Sequence, residues 1–239
     1  MRFVLDLHCH TVASGHASGT IEEILAEAKA KKLELVGIAD HGPFMPNGCT
    51  LDYFKEILAL PKVINGMPWL KGVEANITNE AGEIDIPNDM LAELDFCIAS
   101  IHSSLYLPKD PTAAIIGAMQ NPQVNIIGHL GDPRVPIEIP PIIAAAKQTN
   151  TLIEINNKSL IPDTRRYGGK DVIKELLRMC SIQNIPVIAG SDAHEPKQTA
   201  GLGLSKSLIE SSAIDESLVI NTSVEKLMRI LKHPQIPKF

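Results

Sequence analysis

Histidines near the start of the chain are the first residues whose type and spacing could do chemistry. His8 and His10 follow an apolar run over residues 3–5 that predicts a β-strand. Residues two apart on a strand face the same side, so we expect both imidazoles to reach one point in space while Leu7 and Cys9 face the other way. Two imidazoles that converge on one point are typical of a metal site.

Five further histidines fall at or just beyond the ends of predicted strands: His16, His41, His102, His129 and His194. Active sites of parallel barrels are built from the loops at the carboxyl ends of the strands, so residues dispersed in sequence become neighbours there. A single histidine at a strand end is commonly a hydrogen-bonding residue, but seven at one barrel mouth predict a metal cluster. The eighth, His233, lies in the tail, away from any predicted strand end.

Four acidic residues extend this pattern. Glu74 sits within an apolar strand, where an unpaired carboxylate would cost several kcal/mol, so we expect a cation beside it. Asp192 precedes His194 by two residues and repeats the spacing of the first histidine pair. Asp6 and Asp40 each lie beside a candidate ligand, and they are either acceptors that hold a histidine ring in one tautomer or solvated loop carboxylates.

The number of candidate ligands predicts the number of metals. Seven histidines with Glu74 and Asp192 make nine ligands. A catalytic zinc ion takes three protein ligands and keeps a position for water, so nine ligands suit about three ions. A site rich in imidazole favours zinc, with manganese and iron as alternatives.

The elements that must position these residues alternate between strand and helix. The predicted strands cover residues 3–5, 35–39, 70–77, 96–101, 124–127, 152–155 and 186–189, and the predicted helices cover 21–32, 51–60, 112–119, a segment starting near 140–141, and 171–183. Thr20 and Glu23 have the spacing of a capping box at the start of the first helix. Near-continuous apolar strands alternating with helices predict a parallel sheet covered by helices, in one α/β barrel domain over residues 1–239.

Two segments lie outside this alternation. Residues 79–85 predict a tight turn or hairpin tip after the third strand. The tail holds a short apolar run over residues 218–220 and a helix opened by Thr222 and Glu225 that ends near Lys232.

Composition excludes several classes of protein. The chain has 239 residues, of which 44% are hydrophobic and 21% charged, and its formal net charge of −6 argues against a broad nucleic-acid or acidic-membrane surface. It contains no run of eighteen apolar residues and no signal-peptide pattern, so we expect a cytoplasmic protein without a membrane span. The cysteines are widely spaced at Cys9, Cys49, Cys97 and Cys180. This spacing fits reduced, buried thiols better than disulfides or a thiolate zinc site.

Several motifs together resemble one known family. They are DLHCHT at residues 6–11 with His16 after it, ADHG at 39–42, GVEANI at 72–77, GEID at 82–85, His102, GH at 128–129, EINN at 154–157 and GSDAH at 190–194. The set extends over nearly the whole chain and resembles the PHP (polymerase and histidinol phosphatase) family, in particular its YcdX-type phosphatases. The resemblance implies a distorted, TIM-like (β/α)7 barrel with a trinuclear metal centre.

The resemblance also implies which residues hold each ion. Carried over by position, one ion would be held by His8, His10, Glu74 and Asp192, a second by Glu74, His102 and His129, and a third by His16, His41 and His194. Catalysis through these metals would involve His8, His10, Glu74, His102 and Asp192. Residues 130–134 and the loop after the sixth strand lie where members of the family vary, which leaves the substrate open.

The chemistry expected of such a centre is phosphoester hydrolysis. Three divalent cations against two ligand carboxylates leave an excess of positive charge that suits a phosphate group. The hypothesis is direct attack by a metal-bound hydroxide on a small phosphomonoester, because the chain has no P-loop and no C-x5-R nucleophile. Arg134, and Arg165 or Arg166, are candidate phosphate clamps, and the alternative for each is a solvated surface arginine.

Other functions remain open at this point. An amidohydrolase also begins with a His-x-His pair but typically carries a modified lysine on its fourth strand, where this chain has His102. A nuclease or nucleotide phosphoesterase of the same fold is a further alternative, although the acidic balance makes long nucleic acid a poor substrate. A non-catalytic, metal-stabilised binding module would instead have metal sites closed by protein ligands. Self-association through the outer helices also remains open.

Overall fold

Short runs of buried apolar residues form a sheet of seven parallel strands. The computed structural model describes residues 1–162 and 164–231. Its strands are β1 (Leu5–Cys9), β2 (Leu35–His41), β3 (Val63–Ile64), β4 (Met67–Asn76), β5 (Phe96–Ser100), β6 (Ile126–Ile127), β7 (Leu152–Asn156) and β8 (Val187–Gly190). The order is β1-β2-β4-β5-β6-β7-β8, all parallel, while β3 adds to β4 in the antiparallel sense. The predicted fold class, a distorted (β/α)7 barrel, is confirmed.

Helices follow most of the strands and cover the outside of the sheet. They are α1 (Ile21–Ala30), α2 (Leu51–Ala59), α3 (Asn88–Glu93), α4 (Pro111–Met119), α5 (Ile139–Thr149), α6 (Lys170–Gln183), α7 (Gly203–Ser211) and α8 (Val224–Ile230). The capping box at α1 is confirmed, since Thr20 N donates to Glu23 Oε2 at 2.8 Å and Glu23 N donates to Thr20 Oγ1 at 3.3 Å. The hydroxyl of Ser223, and not that of Thr222, caps α8. Lys232 and His233 lie outside the described residues.

Several predicted boundaries are wrong for local reasons. β4 begins at Met67, earlier than predicted, because β3 pairs with its first residues. β6 has only two residues because a turn, in which Val124 N donates to the carbonyl of Asn121, occupies the start of the predicted strand. In the tail, the apolar run over 218–220 lies between two 3-10 turns, and its Val219 forms a single parallel bridge to Val187. The short α3 and α7 were not predicted.

The hairpin tip predicted for residues 79–85 is confirmed. Thr78 N donates to the carbonyl of Glu83 at 2.8 Å, and Ile77 pairs with Ile84 in an antiparallel bridge. Gly82 has a φ of 82° at the turn, a backbone conformation that favours glycine.

The barrel interior is filled by a layer of apolar side chains below the carboxyl ends of the strands. Ten side chains from the strands form this layer, and three from the C-terminal segment close it: Leu5, Leu7, Leu35, Ala39, Leu70, Phe96, Ile98, Ile126, Leu152 and Ile188, with Ile220, Leu227 and Leu231. Phe96 is fully buried in this layer, and Gly37 and Gly72 make room for its ring. A Cβ at Gly72 would lie 2.3 Å from ring atoms of Phe96, so a larger residue there would displace the core.

A bulge in β1 sets the direction of the first candidate ligands. Leu5 pairs with Leu35 and Asp6 with Val36, but the next partner of Ile38 is Cys9, so β1 carries one extra residue. Beyond this extra residue, the side chains of β1 that face the barrel interior are one position out of step with those before it. Leu7 therefore packs inside the barrel with Leu5, although the sequence predicted that it faces away from the histidines.

The seam between β1 and β8 is closed partly by backbone and partly by one side chain. Near the carboxyl ends, His10 N donates to the carbonyl of Ala193 at 2.9 Å. Lower down, Asn221 is fully buried between the two strands. Its Oδ1 accepts from Ala189 N at 2.6 Å, and its Nδ2 donates to the carbonyls of Ala189 and Leu5 at 2.9 and 3.1 Å. The side-chain amide thus replaces part of a strand ladder.

Asn221→Asp should destabilise the fold strongly. The substitution removes the donor and places an acidic oxygen against two buried carbonyl oxygens, which costs about 2–3 kcal/mol for the unsatisfied groups. Chemical denaturation measures the change in unfolding free energy. Asn65→Asp, in the exposed turn between β3 and β4, is the matched control and should change it by less than about 0.5 kcal/mol. Equal effects of the two substitutions would contradict a seam role for Asn221.

Candidate metal centre

One carboxylate on β4 lies at the centre of the candidate site. Glu74 is fully buried, and its two oxygens face two sets of imidazoles. Oε2 lies 3.3 Å from His8 Nε2, 3.4 Å from His10 Nε2 and 2.9 Å from His41 Nδ1, while Oε1 lies 2.9 Å from His129 Nε2 and 3.5 Å from His102 Nε2. The carboxylate therefore connects five of the candidate ligands.

The remaining candidate ligands lie on the other side of His10. Asp192 Oδ1 is 3.6 Å from His10 Nε2, and His16 Nε2 is 3.0 Å from His194 Nε2. The ring of His41 stacks on that of His16, with centroids 5.0 Å apart. The structure thus brings all nine residues predicted as ligands to one place at the carboxyl ends of the strands.

Two of these residues occupy a backbone conformation that costs free energy. His129 has a φ of 33° and Asp192 a φ of 55°. Such left-handed conformations are unfavourable for residues other than glycine, and they persist where the surrounding structure imposes them, commonly at functional sites. In these conformations the side chain of His129 faces Glu74, and the side chain of Asp192 faces His10.

Unsatisfied polar atoms show that this donor set fits cations. Within the described residues, six buried donor or acceptor atoms of the cluster have no hydrogen-bond partner: His8 Nε2, His10 Nε2, His41 Nδ1, His102 Nε2, Glu74 Oε2 and Asp192 Oδ1. Buried polar atoms are costly unless they are paired. Imidazole nitrogens and carboxylate oxygens are ligands of zinc, manganese and iron. Such atoms form three overlapping groups here, and within each group the ligand atoms lie within 4.8 Å of one another.

Burial keeps several imidazoles neutral, the form that binds metals. It lowers the pKa of His102 to about 3 and that of His194 to about 4, in spite of the adjacent carboxylates. Burial and the nearby His41 and His194 hold the pKa of His10 well below its usual value. Burial also disfavours a charge on Glu74, but the surrounding histidines hold the pKa of its carboxyl well below the usual range. The site therefore presents neutral nitrogens at His10, His102 and His194, while Glu154, Glu74 and Asp192 hold the pKa of His8 well above its usual value in spite of its burial.

Glu154 on β7 fixes the orientation of His8. Its Oε1 lies 2.6 Å from His8 Nδ1, which leaves Nε2 free to face Glu74. Its Oε2 accepts from His129 N at 2.7 Å and from Asn156 Nδ2 at 3.1 Å. The sequence pattern did not predict a role for Glu154. The signal was present, because this carboxylate interrupts an apolar strand just as Glu74 does.

Asp40 acts on His10 through a hydroxyl. Asp40 Oδ1 accepts from Ser14 Oγ at 2.6 Å, and Ser14 Oγ lies 3.2 Å from His10 Nδ1. Asp40 also accepts from Thr11 Oγ1 at 2.8 Å and from the hydroxyl of Tyr53 on α2. The predicted acceptor thus reaches a ring indirectly, through a serine that no pattern in the sequence indicated.

Among residues 1–162 and 164–231, Asp6 contacts no histidine ring and meets backbone amides instead. It lies on the outward face of β1 with Cys9, and its carboxylate accepts from the backbone amides of Ser191 at 3.1 Å and Ala200 at 2.9 Å. The bulge in β1 turns the histidines inward and leaves Asp6 to hold the loop after β8.

His102 has a comparable support from the second half of β4. Asn76 Oδ1 lies 2.8 Å from His102 Nδ1, and Asn76 Nδ2 donates to Asp85 at 2.6 Å. Asp85 also accepts from the backbone amide of Phe44 at 2.9 Å. The hairpin tip and the loop after β2 are therefore connected to the orientation of one imidazole.

A cavity of about 520 Å³ opens over the metal-ligand cluster and is lined by basic side chains. Arg166 contacts Asp192, and Lys158 Nζ lies 2.9 Å from His194 Nδ1. Arg134 is held by Asp132, which accepts from its Nε at 2.9 Å and from its Nη2 at 2.6 Å. Arg165 lines the same cavity without a hydrogen bond or ion pair to any described residue.

The fold and the site together define a parallel β/α barrel with a metal-ligand cluster at its carboxyl-terminal mouth. The PHP domain profile matches residues 6–158, more than half of the sequence. The chain belongs to the PHP domain family, as the motifs predicted.

Curated relatives match the chain over almost its full length. A protein of Caldanaerobacter subterraneus subsp. tengcongensis named "Probable phosphatase" is 42% identical over 236 residues, covering 97% of this chain and 92% of the relative. A "Probable phosphatase" of Acetivibrio thermocellus is 39% identical over 235 residues, covering 97% of this chain and 96% of the relative.

Solved structures share the fold at low sequence identity. Histidinol phosphate phosphatase from Lactococcus lactis, in complex with zinc, L-histidinol and phosphate, superposes with a TM-score of 0.62 at 21% identity, covering 88% of this chain and 94% of that one. A chain in a structure of archaeal ribonuclease P with mature tRNA gives a TM-score of 0.57 at 15% identity, covering 98% and 96%. At these identities the likeness concerns the fold.

Glu154→Gln should weaken metal binding. The neutral amide is a poorer acceptor for His8 Nδ1, and loss of such a carboxylate behind a ligating histidine typically costs about 10–100-fold in metal affinity. Competition with a chelator measures the affinity. Glu225→Gln, which removes an exposed carboxylate paired with Arg229, is the matched control. An affinity unchanged in Glu154→Gln would show that this carboxylate does not tune His8.

Proposed function

We propose that this PHP-domain protein is a metal-dependent phosphatase that hydrolyses small phosphomonoesters at a trinuclear centre. The observation that carries the proposal is the cluster of buried, unpaired imidazole and carboxylate atoms at the mouth of the barrel. Its relatives named "Probable phosphatase" cover almost the whole chain, which supports the same reaction.

The two oxygens of Glu74 support the division of the ligands among three ions. In the proposed assignment, one ion is held by His8, His10, Glu74 and Asp192, a second by Glu74, His102 and His129, and a third by His16, His41 and His194. Oε2 faces the first pair of histidines and Oε1 faces the second pair, which supports the first two ions of this division. Oε2 also lies 2.9 Å from Nδ1 of His41, which the division gives to the third ion. We propose zinc as the ion because most ligands are imidazoles, with manganese and iron as alternatives.

Divalent ions in such a centre lower the pKa of water and offset negative charge on phosphoryl oxygens. The chain itself supplies further positive charge where the phosphate would lie. Arg166 and Lys158 both contact Asp192 at the edge of the cluster, so their side chains are placed to bind oxygens of the reacting phosphate. Arg166 is almost buried, which strengthens its interaction with an anion.

The proposed substrate is a small molecule in the cytoplasm, not long nucleic acid. The net charge of −6 is unfavourable for binding a polyanion along an extended surface. The four cysteines are buried and free, which fits a reducing compartment. No helix within residues 1–162 and 164–231 combines the length and apolar character needed to cross a bilayer.

Elemental analysis together with phosphate release tests the proposal. Protein purified without chelator should contain about three zinc, manganese or iron ions per chain and should release phosphate from 4-nitrophenyl phosphate. Glu74→Gln should lower both the metal content and the rate, the latter by about 100-fold or more, because one carboxylate serves two ions. Glu175→Gln, on the outer face of α6, is the control.

Low metal content or absence of hydrolysis would contradict the proposal. One ion or none per chain, with no phosphate release after metal addition, would exclude the trinuclear phosphatase. Three tightly held ions without hydrolysis of any ester would favour a metal-stabilised binding module.

A further inference from the structure

We infer that the substrate carries a second anionic group, a carboxylate or another phosphate, and no aromatic base, and that Arg134 and Arg165 bind this second anion. The inference rests on the proposed phosphatase function and specifies the substrate of that same site. It follows from how the cations in the cavity are divided, how Arg134 is held, and which side chains are missing from the lining.

The basic residues in the cavity form two sets. Lys158 and Arg166, the inner cations, contact Asp192 at the metal-ligand cluster. Arg134 and Arg165, the outer cations, line the same cavity but contact none of the nine candidate ligands. A phosphate bound at the cluster would contact the inner cations. The outer cations therefore remain available to bind another anion.

Among the described residues, one outer cation is paired with a carboxylate and the other is not. Asp132 is the one carboxylate among the described cavity residues outside the metal-ligand set, and it pairs with Arg134. Arg165 pairs with no described residue. The chain as a whole is acidic, with a net charge of −6, so a concentration of positive charge here is local and not a result of composition.

Arg134 is oriented in advance for a ligand. Asp132 accepts from its backbone N at 3.0 Å, its Nε at 2.9 Å and its Nη2 at 2.6 Å, which fixes the plane of the guanidinium. A guanidinium has five N–H donors, so Nη1 and one N–H of Nη2 remain for a carboxylate or phosphate. A surface arginine that served only solubility would need no such fixation.

The aromatic rings in the lining are all candidate metal ligands. None of the described residues around this cavity is Phe, Tyr or Trp, and its four histidines belong to the nine candidate ligands. Recognition of a nucleobase commonly uses an aromatic platform, and rings that hold metal are not available for that role, so the cavity favours non-aromatic substrates over nucleotides. The neutral polar lining instead includes Ser103 and Ser104, whose hydroxyls suit hydroxyl groups of a small, non-aromatic substrate.

Matched substrates test the inference on the unaltered, metal-loaded protein. 3-Phosphoglycerate carries a carboxylate where glycerol 3-phosphate carries a hydroxymethyl group, and fructose 1,6-bisphosphate and fructose 6-phosphate differ by one phosphate. We expect kcat/KM to be about tenfold or more higher for the doubly anionic member of at least one pair, and AMP to be poorer than that member. Preference in the first pair alone identifies a carboxylate, and preference in the second pair alone identifies a phosphate.

Variants of the outer cations test where the preference arises. Arg165→Gln and Arg134→Gln should each reduce the preference ratio toward unity, mainly through KM of the doubly anionic substrate. Arg229→Gln, which removes one exposed positive charge from α8, should leave the ratio unchanged. Thermal unfolding of each variant confirms that the fold is retained.

Three results would overturn the inference. Equal kcat/KM within both pairs, AMP as the best substrate, or a preference that survives in both outer-cation variants would each contradict it while leaving the phosphatase function standing. Absence of hydrolysis of every ester, including 4-nitrophenyl phosphate, would instead refute the phosphatase function itself, and the inference with it.

Discussion

A buried negative charge at the mouth of the barrel is the constraint on which the rest of the site depends. Glu74 is fully enclosed, and an ionised carboxylate in such a place is tolerated only where positive charge or hydrogen-bond donors surround it. Five imidazoles from four other parts of the sheet surround this carboxylate. Among the described residues, Glu74 Oε2 and four of the facing imidazole nitrogens have no hydrogen-bond partner. The donor set as a whole is therefore suited to cations, which would satisfy these atoms.

The same requirement explains the residues behind the cluster. Three imidazoles are fixed at Nδ1, by Glu154 directly and by Ser14 and Asn76, which are in turn bonded to the carboxylates of Asp40 and Asp85. Each support comes from a different strand or loop. The residues that orient the candidate ligands thus come from several strands and loops of the barrel. A substitution in one of these loops would alter the orientation of one imidazole.

Much of this arrangement could be predicted from the sequence, and the limits have physical causes. The strands and the nine candidate ligands were recognisable because polar residues at the ends of apolar runs stand out, and parallel strands place those ends together. The predicted direction of the Leu7 side chain was wrong, because the one-residue bulge in β1 arises from its pairing with β2, which the local sequence does not show. Ser14 and Asn221 were missed because a short polar residue in a loop has the same local appearance whether it is solvated or buried.

The seam between β1 and β8 gives the site an order of assembly. His8 and His10 lie on one side of the seam and Asp192 and His194 on the other, while the amide that joins the two strands belongs to Asn221. During synthesis the chain emerges from its N-terminus, so the first two histidines exist long before the segment that fastens them to the last ligands. The full set of candidate ligands can come together in this geometry only after residue 221 has left the ribosome. Metal binding by the full set of candidate ligands would therefore follow the folding of this segment, because a nascent chain arrested before residue 221 lacks the amide that joins β1 to β8.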